Sequence, residues 1–236
     1  MCVVAVAIDA HPRWQLVAAG NRDEYHERAS APLARWDDRS GIIAGRDLVS
    51  SGSWMGISES GRFAVVTNIR NAEGPDPDKL SRGALVADWL TGGTSPDDLG
   101  RFNPFNLILT DGGAAHYLSN RPAASSQTLV SGIYGMSNAI PDEHWPRKDR
   151  LIHQMAAWLE LADRPERLLD ILSEETAPDR DATPLFIRNP IYGPRCSTLV
   201  AVDRQGRGQI IERRFSANGQ KISETSLDFF WSPEKV

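Results

Sequence analysis

The chain has 236 residues, 41% of them hydrophobic and 24% charged, with a net charge of −5 at neutral pH. That length allows a sizeable core in one large domain or two small ones, and the acidic balance gives no reason to expect nucleic acid, which would want a basic face. No run approaches the roughly 18 apolar residues of a membrane helix. The opening VVAVAIDAHP is too short for a signal peptide and has no basic lead. Two cysteines, Cys2 and Cys196, make no disulfide framework, so a reducing, cytoplasmic setting is expected.

Taken in chain order, the first 69 residues read as strands: VVAVAID, WQLVAAG, GIIAG, SWMGIS and RFAVVTNI. Turn chemistry from Asp9 to Pro12 and at Ser60-Gly61 separates them. The segment AEGPDPDK (residues 72–79) is a solvated loop. It is a poor domain boundary, because element signals resume on both sides, and one domain spanning 1–236 is expected. A first helix is predicted from Ser81 to Leu90, with Ser81 as cap, Leu85, Val86, Trp89 and Leu90 as its apolar stripe, and Gly92-Gly93 as its stop.

Strands return at FNLILTD, AAHYLSN, TLVSG and IYGMSN. A second helix starts near Pro146, with Leu151, Ile152, Met155, Trp158 and Leu159 on one face. A third is predicted from Asp163, where DRPE offers a cap, a first-turn proline and an acidic third position; Leu168, Leu169, Ile171 and Leu172 face inward. After a proline-dotted loop (177–194), CSTLVAVD, GQIIERRFS and TSLDFFW close the chain. Strands joined by short turns, with helices in two groups, imply antiparallel sheets in an α+β arrangement rather than βαβ units.

The candidate chemistry begins at Cys2. A protonated thiol is a weak nucleophile. An N-terminal cysteine, however, has its own α-amine as base, with an ordinary pKa of about 7.7–8.0. That arrangement requires removal of Met1. The alternative is that Cys2 packs as a small apolar residue, which position alone favours. Asn21-Arg22-Asp23-Glu24 likewise has two readings. It is either a charged, solvated loop, or a site in which Asp23 is held against the first strand and Arg22 balances a carboxylate or a substrate anion. Spacing favours neither.

Further candidates sit at predicted strand ends: Asn68 and Arg70 in VVTNIR, Ser137 and Asn138 in IYGMSNA, and Arg195 in GPRCSTLVAVD. An asparagine amide can donate to an oxyanion, although turn-making is its commoner use. For Arg195 the plainer alternative is a surface ion pair. GMSNA has the outline of a nucleophile elbow, but Ile140-Pro141 follows in place of an apolar helix. His11, His26, His116, His144 and His153 lack metal-type spacing, so zinc is not expected. QGRGQ is a hairpin turn, not a dinucleotide loop.

The motifs MC, GNRDE, AGRDLVSSGSWMGIS, TNIR, SRGALVADWL, YGMSNAIPDEHWPRKDRL and RCSTLVAVD, in that order, closely resemble the NRDE family, also called the transport and Golgi organisation protein 2 family. The resemblance runs over essentially the whole chain. It implies an N-terminal nucleophile hydrolase fold, an αββα sandwich of two antiparallel sheets, and a mechanistic likeness to choloylglycine hydrolases and penicillin V acylases. By that likeness Cys2 corresponds to the nucleophile and its amine to the base. Asp23 resembles the orienting aspartate, Asn138 the oxyanion asparagine, Arg195 the arginine that steadies the thiolate, and Asn68 falls near a second oxyanion position. Arg22, Arg70 and Trp54 are substrate-binding candidates. In this chain Asn21 and Arg22 precede Asp23 directly, an order that differs from the acylases, and the chain is shorter than theirs.

Two functions of different class follow. One is a cysteine amidohydrolase acting on a linear amide of a small acylated substrate, with no cofactor required. The other is a carrier or chaperone for haem or a related amphipathic anion, in which Arg22, Arg70 or Arg195 clamps carboxylates and Cys2 is an axial thiolate; family members have been connected with haem handling and lipid metabolism. A small-molecule or haem-like ligand is the expected partner, with no nucleic acid and no membrane span. The sequence leaves the oligomeric state open.

Overall fold

The computed structural model describes residues 2–141, 143–161, 164–176 and 183–232. VVAVAI forms strand β1 (Val3–Ile8), buried along its whole length, which is why its apolar run is continuous rather than alternating. Antiparallel to it runs β2 (Trp14–Tyr25), which continues through the polar tetrapeptide Asn21–Glu24. The chain divides into two compact units by its contacts.

The first unit comprises Met1–Glu27, Ser131–Met136 and His144–Val236. Its six-stranded sheet adds β10 (Gly132–Met136), β11 (Tyr192–Asp203), β12 (Arg207–Phe215) and β13 (Lys221–Phe230), in the order β10-β1-β2-β11-β12-β13, with every pairing antiparallel. Helices α2 (Pro146–Leu161) and α3 (Arg167–Leu172) lie on one face. Leu151, Met155, Trp158, Leu168, Leu169 and Leu172 there meet Val3, Ala5, Val17, Ala19 and Leu199 in one apolar cluster. Pro146 opens α2, where its missing N–H and fixed φ suit the first helical position. Ile152, predicted inward, is half-buried against β10 beside Gly135.

The second unit comprises Arg28–Val130 and Ser137–Glu143. Its seven-stranded sheet runs β3-β4-β5-β6-β7-β8-β9 in sequence order: β3 (Ser30–Arg35), β4 (Ile42–Asp47), β5 (Met55–Ser58), β6 (Phe63–Asn68), β7 (Phe105–Thr110), β8 (Ala115–Ser119) and β9 (Ser125–Leu129). Helix α1 (Arg82–Leu90) packs Leu85, Val86, Trp89 and Leu90 onto Ala44, Ala64, Val66, Leu107 and Leu109. Two antiparallel sheets carrying few helices give the α+β class expected from the sequence.

Several local expectations change. Strand β3, unread in the sequence, hides behind Pro32 and a mostly exposed pattern. Ser81 occupies the N-cap of α1 but its side chain makes no capping bond. The predicted stop does operate: Gly92, at φ +96°, donates to Trp89 O and Gly93 N donates to Asp88 O, a Schellman closure. The cap proposed at Asp163 lies outside the described residues, and α3 starts at Arg167, just after Pro165 and Glu166. The loop at 177–194 gives up Tyr192 to Pro194 to β11, and residues 177–182 lie outside the described chain.

One contact sets how closely α1 sits on its unit. A Cβ on Gly52 would lie 2.4 Å from the Gly83 carbonyl carbon, and Ser53 N donates to Gly83 O at 3.2 Å. Backbone meets backbone, so no rotamer can yield. Gly52→Ala is expected to lose about 1–3 kcal/mol in urea unfolding. Gly113→Ala, whose nearest neighbour would be 3.6 Å away, should change little. Equal midpoints for the two variants would contradict this packing.

Candidate active site

Alternation along β1 and β2 sorts the site residues by face. Val3, Ala5, Ala7, Val17 and Ala19 point into the core beneath α2 and α3. Asn21 and Asp23 continue that series on the helix side, and Arg22 takes the other side. Val3 pairs with Asn21 and Val4 with Gly20. Cys2 immediately precedes β1, so extending this register by one step places it level with Arg22, whose charge acts on its thiol. A Cβ on Gly20 would come within 2.6 Å of Val3 O and 2.8 Å of Val4 Cβ. Glycine there lets β1 approach and carry Cys2 to the strand end.

The carbonyl oxygen of Asp23 is the meeting point. Cys2 Sγ donates to it at 3.6 Å and Tyr192 Oη at 2.8 Å. Pro194, opposite Asp23 on β11, has no N–H to offer, so side chains take up the acceptor. Burial raises the Cys2 thiol pKa above its ordinary value. Asp23 raises it further and Arg22 lowers it. Tyr192 is also pushed far up, first by burial and then by its negative neighbours, so it stays a donor.

On the helix face the tetrapeptide anchors the strand. Asp23 Oδ2 accepts from Arg147 Nη1 at 2.5 Å, with the two side chains 0% and 1% exposed. Arg147 Nη2 also donates to Leu185 O. Asn21 Nδ2 donates to Leu185 O at 2.8 Å and Leu172 O at 2.9 Å, while its Oδ1 accepts from Ser197 Oγ at 2.5 Å. Asn21 and Asp23 are therefore buried strand residues, which overturns the solvated-loop reading. Arg22 pairs with Glu24 at 3.5 Å, both side chains mostly buried.

Arg195 falls at an irregularity in the β2–β11 pairing, between Pro194 and Cys196, and its Nη1 donates to His26 O at 2.8 Å. Arg22 is among the charges acting on the Cys2 thiol. Cys196 is a free, buried cysteine paired directly with Arg22 across β2 and β11. Met1, whose removal the free-amine mechanism requires, lies outside the described residues. Among the described residues no three His, Cys, Asp or Glu side chains are grouped to hold a metal ion.

Asn68, Asn138, Arg70 and Trp54 belong to the second unit. Asn138 is buried and donates through Nδ2 to Asn68 O at 2.7 Å, and its carbonyl accepts from Arg70 N at 2.9 Å. Neighbouring bonds from Thr67 Oγ1 to Ser137 O (2.7 Å) and from Asn106 Nδ2 to Ala139 O (2.8 Å) fix that turn. Asn138 therefore spends one amide hydrogen inside its own unit, and the Arg70 side chain is exposed. Trp54 is buried beside β5, where its carbonyl accepts from Val66 N.

Sequence reasoning missed Arg147 and Tyr192. A buried carboxylate demands a cation, but nothing in the spacing chooses one from 26 lysines and arginines.

A family model described as Transport and Golgi organisation 2 matches residues 1–217. The chain is 29% identical over 261 residues to the Transport and Golgi organization protein 2 homolog of Homo sapiens, covering 90% of this chain and 92% of that protein. It is 28% identical over 288 residues to the Bos taurus homolog, covering 98% and 99%. Among solved structures it is similar to a Caenorhabditis elegans N-acylethanolamine-hydrolyzing acid amidase ortholog, with TM-score 0.53, 13% identity, and 84% and 92% coverage of the two chains. It is also similar to a mutant conjugated bile acid hydrolase from Clostridium perfringens, with TM-score 0.51, 8% identity, and 97% and 92% coverage. At such identities the likeness is one of fold alone.

The ion pair can be tested directly. Asp23→Asn and Arg147→Met are each expected to lose about 3–5 kcal/mol of unfolding free energy, because each strands a buried charge. The double variant should lose clearly less than the sum. Additive losses in urea titrations would show that the two side chains do not act as a pair.

Proposed function

We propose that this chain, which belongs to the Transport and Golgi organisation 2 family, is an N-terminal cysteine amidohydrolase that cleaves a linear C–N amide bond of a small acylated substrate. The observation that carries the reading is the Cys2 thiol, held on the Asp23 carbonyl at the end of β1 with the Arg22 charge acting on it. The printed names of the two structural neighbours, an acid amidase and a bile acid hydrolase, support the reaction class.

Removal of Met1 gives Cys2 a free α-amine. The amine takes the Sγ proton, and the sulfur forms a bond to the amide carbon. The C–N bond then breaks as the ammonium returns its proton to the leaving nitrogen. Water attacks the thioester with the amine as base, releasing a carboxylic acid and restoring the thiol. Burial disfavours a standing thiolate and Arg22 favours one, so the anion forms when the base acts. The Asp23–Arg147 pair on the far face fixes the strand that carries this chemistry.

The carrier reading uses Arg22 and Arg195 as clamps and Cys2 as an axial thiolate, which burial opposes. A panel of N-acyl amides assayed for amine release, beside a haem absorbance titration, separates the two. At least one amide is expected to turn over, and Cys2→Ala to lower kcat at least about a thousandfold while leaving the unfolding midpoint close to wild type. Stoichiometric haem binding without turnover of any amide would overturn the proposal.

A further inference from the structure

Tyr192 opens β11 and is held from three sides. Its backbone N–H donates to Asn189 Oδ1 at 3.2 Å. On β2 it pairs directly with Tyr25, and the two rings meet edge to face with centroids 5.3 Å apart. Its hydroxyl reaches the Asp23 carbonyl at 2.8 Å, the oxygen on which the Cys2 thiol also rests at 3.6 Å. A well-formed O–H···O bond therefore shares its acceptor with a long S–H···O bond. The two donors lie no further apart than those two distances laid end to end.

A base acts differently on the two donors. The thiol donates only while it holds its proton. Burial, then a charge on Cys2 and that on Asp23, push the Tyr192 hydroxyl far above its ordinary value, so it stays a donor when the thiol does not. A carbonyl that already accepts one strong hydrogen bond has less charge to offer a second, so the phenol loosens the grip of the carbonyl on the thiol proton. Once that proton passes to the α-amine, leaving a thiolate and an ammonium, the phenol still occupies the carbonyl. The residue opposite on β11, Pro194, has no N–H with which to do so.

We propose that Tyr192 is a positioning residue for the Cys2 nucleophile: its hydroxyl occupies the Asp23 carbonyl, so that the thiol proton leaves readily and the strand end that seats the sulfur keeps its place when it goes. This rests on the nucleophile reading for its purpose, but the hydrogen bonds it concerns exist whether or not an amide is cleaved.

Tyr192→Phe keeps the ring against Tyr25 and deletes the hydroxyl alone. The test follows the rate of Cys2 alkylation by iodoacetamide against pH, with peptide mapping to separate Cys2 from Cys196. The midpoint should move up by about half a unit to one unit, lowering the rate at a fixed pH below it about three- to tenfold, as loss of one hydrogen bond implies. The rate at the high-pH plateau should stay near wild type. Tyr25→Phe, the same change on an exposed neighbour, should alter neither. Arg22, Asp23, Glu24 and Arg147, the charged side chains that act on Cys2 or Tyr192, are untouched in both variants. A Tyr192→Phe midpoint equal to wild type, whatever the loss of stability, overturns the assignment, because the hydroxyl then only braces the strand. A wild-type Cys2 that reacts at no pH ends the nucleophile reading by itself, and the hydrogen bond is then read from the S–H stretching band in Raman spectra of Cys196→Ala chains, where that band belongs to Cys2. Tyr192→Phe should move the band to lower frequency as the S–H···O bond tightens, and an unmoved band rejects the assignment.

Discussion

The pairing of Asp23 with Arg147 is the constraint on which the active end of the first unit depends. Placing a carboxylate and a guanidinium where both are almost wholly buried costs several kcal/mol per ion. That cost is recovered only at close range, here 2.5 Å. The start of α2 must therefore sit over the end of β2. The same need draws in Leu185, whose carbonyl accepts from both Arg147 and Asn21. A strand end, ordinarily the first part of a sheet to fray, is pinned from the helix side.

Pinning one face leaves the other for the proposed chemistry. Alternation puts Asn21 and Asp23 under the helices and Arg22 on the opposite side, so two residues of the tetrapeptide fasten the strand while Arg22 works on the thiol. The Asp23 peptide bridges the faces: its side chain belongs to the ion pair, and its carbonyl receives Cys2 and Tyr192. A gain in rigidity behind the sheet is thereby a gain in placement in front of it. Gly20 serves the same end by removing the side chain that would hold β1 away.

Most of the fold was legible in the sequence, because apolar runs bounded by turn residues give strands and helices directly. Legibility failed where a residue's environment reversed its usual preference. Asn21–Glu24 reads as a turn on composition, yet it is strand, since long-range partners replace the water that those side chains normally seek. Strand β3 was lost because Pro32 and exposed side chains remove the alternation signal. In the site, spacing left the solvated-loop and the site readings of Asn21–Glu24 even. Arg147 and Tyr192 come from distant segments whose meeting no local pattern records. The family resemblance supplied roles for Asn68, Asn138 and Arg195. The geometry adds that Asn138 is engaged with Asn68 within the second unit and that Arg22 acts on the Cys2 thiol.

The account turns on Cys2 being a reactive residue with a free amine. Intact mass of the freshly purified chain, before and after a brief limiting dose of iodoacetamide near pH 7, with peptide mapping, addresses both conditions at once. The account predicts that Met1 is absent and that Cys2 is modified well ahead of Cys196. Met1 quantitatively retained, with Cys2 no more reactive than Cys196, would contradict it.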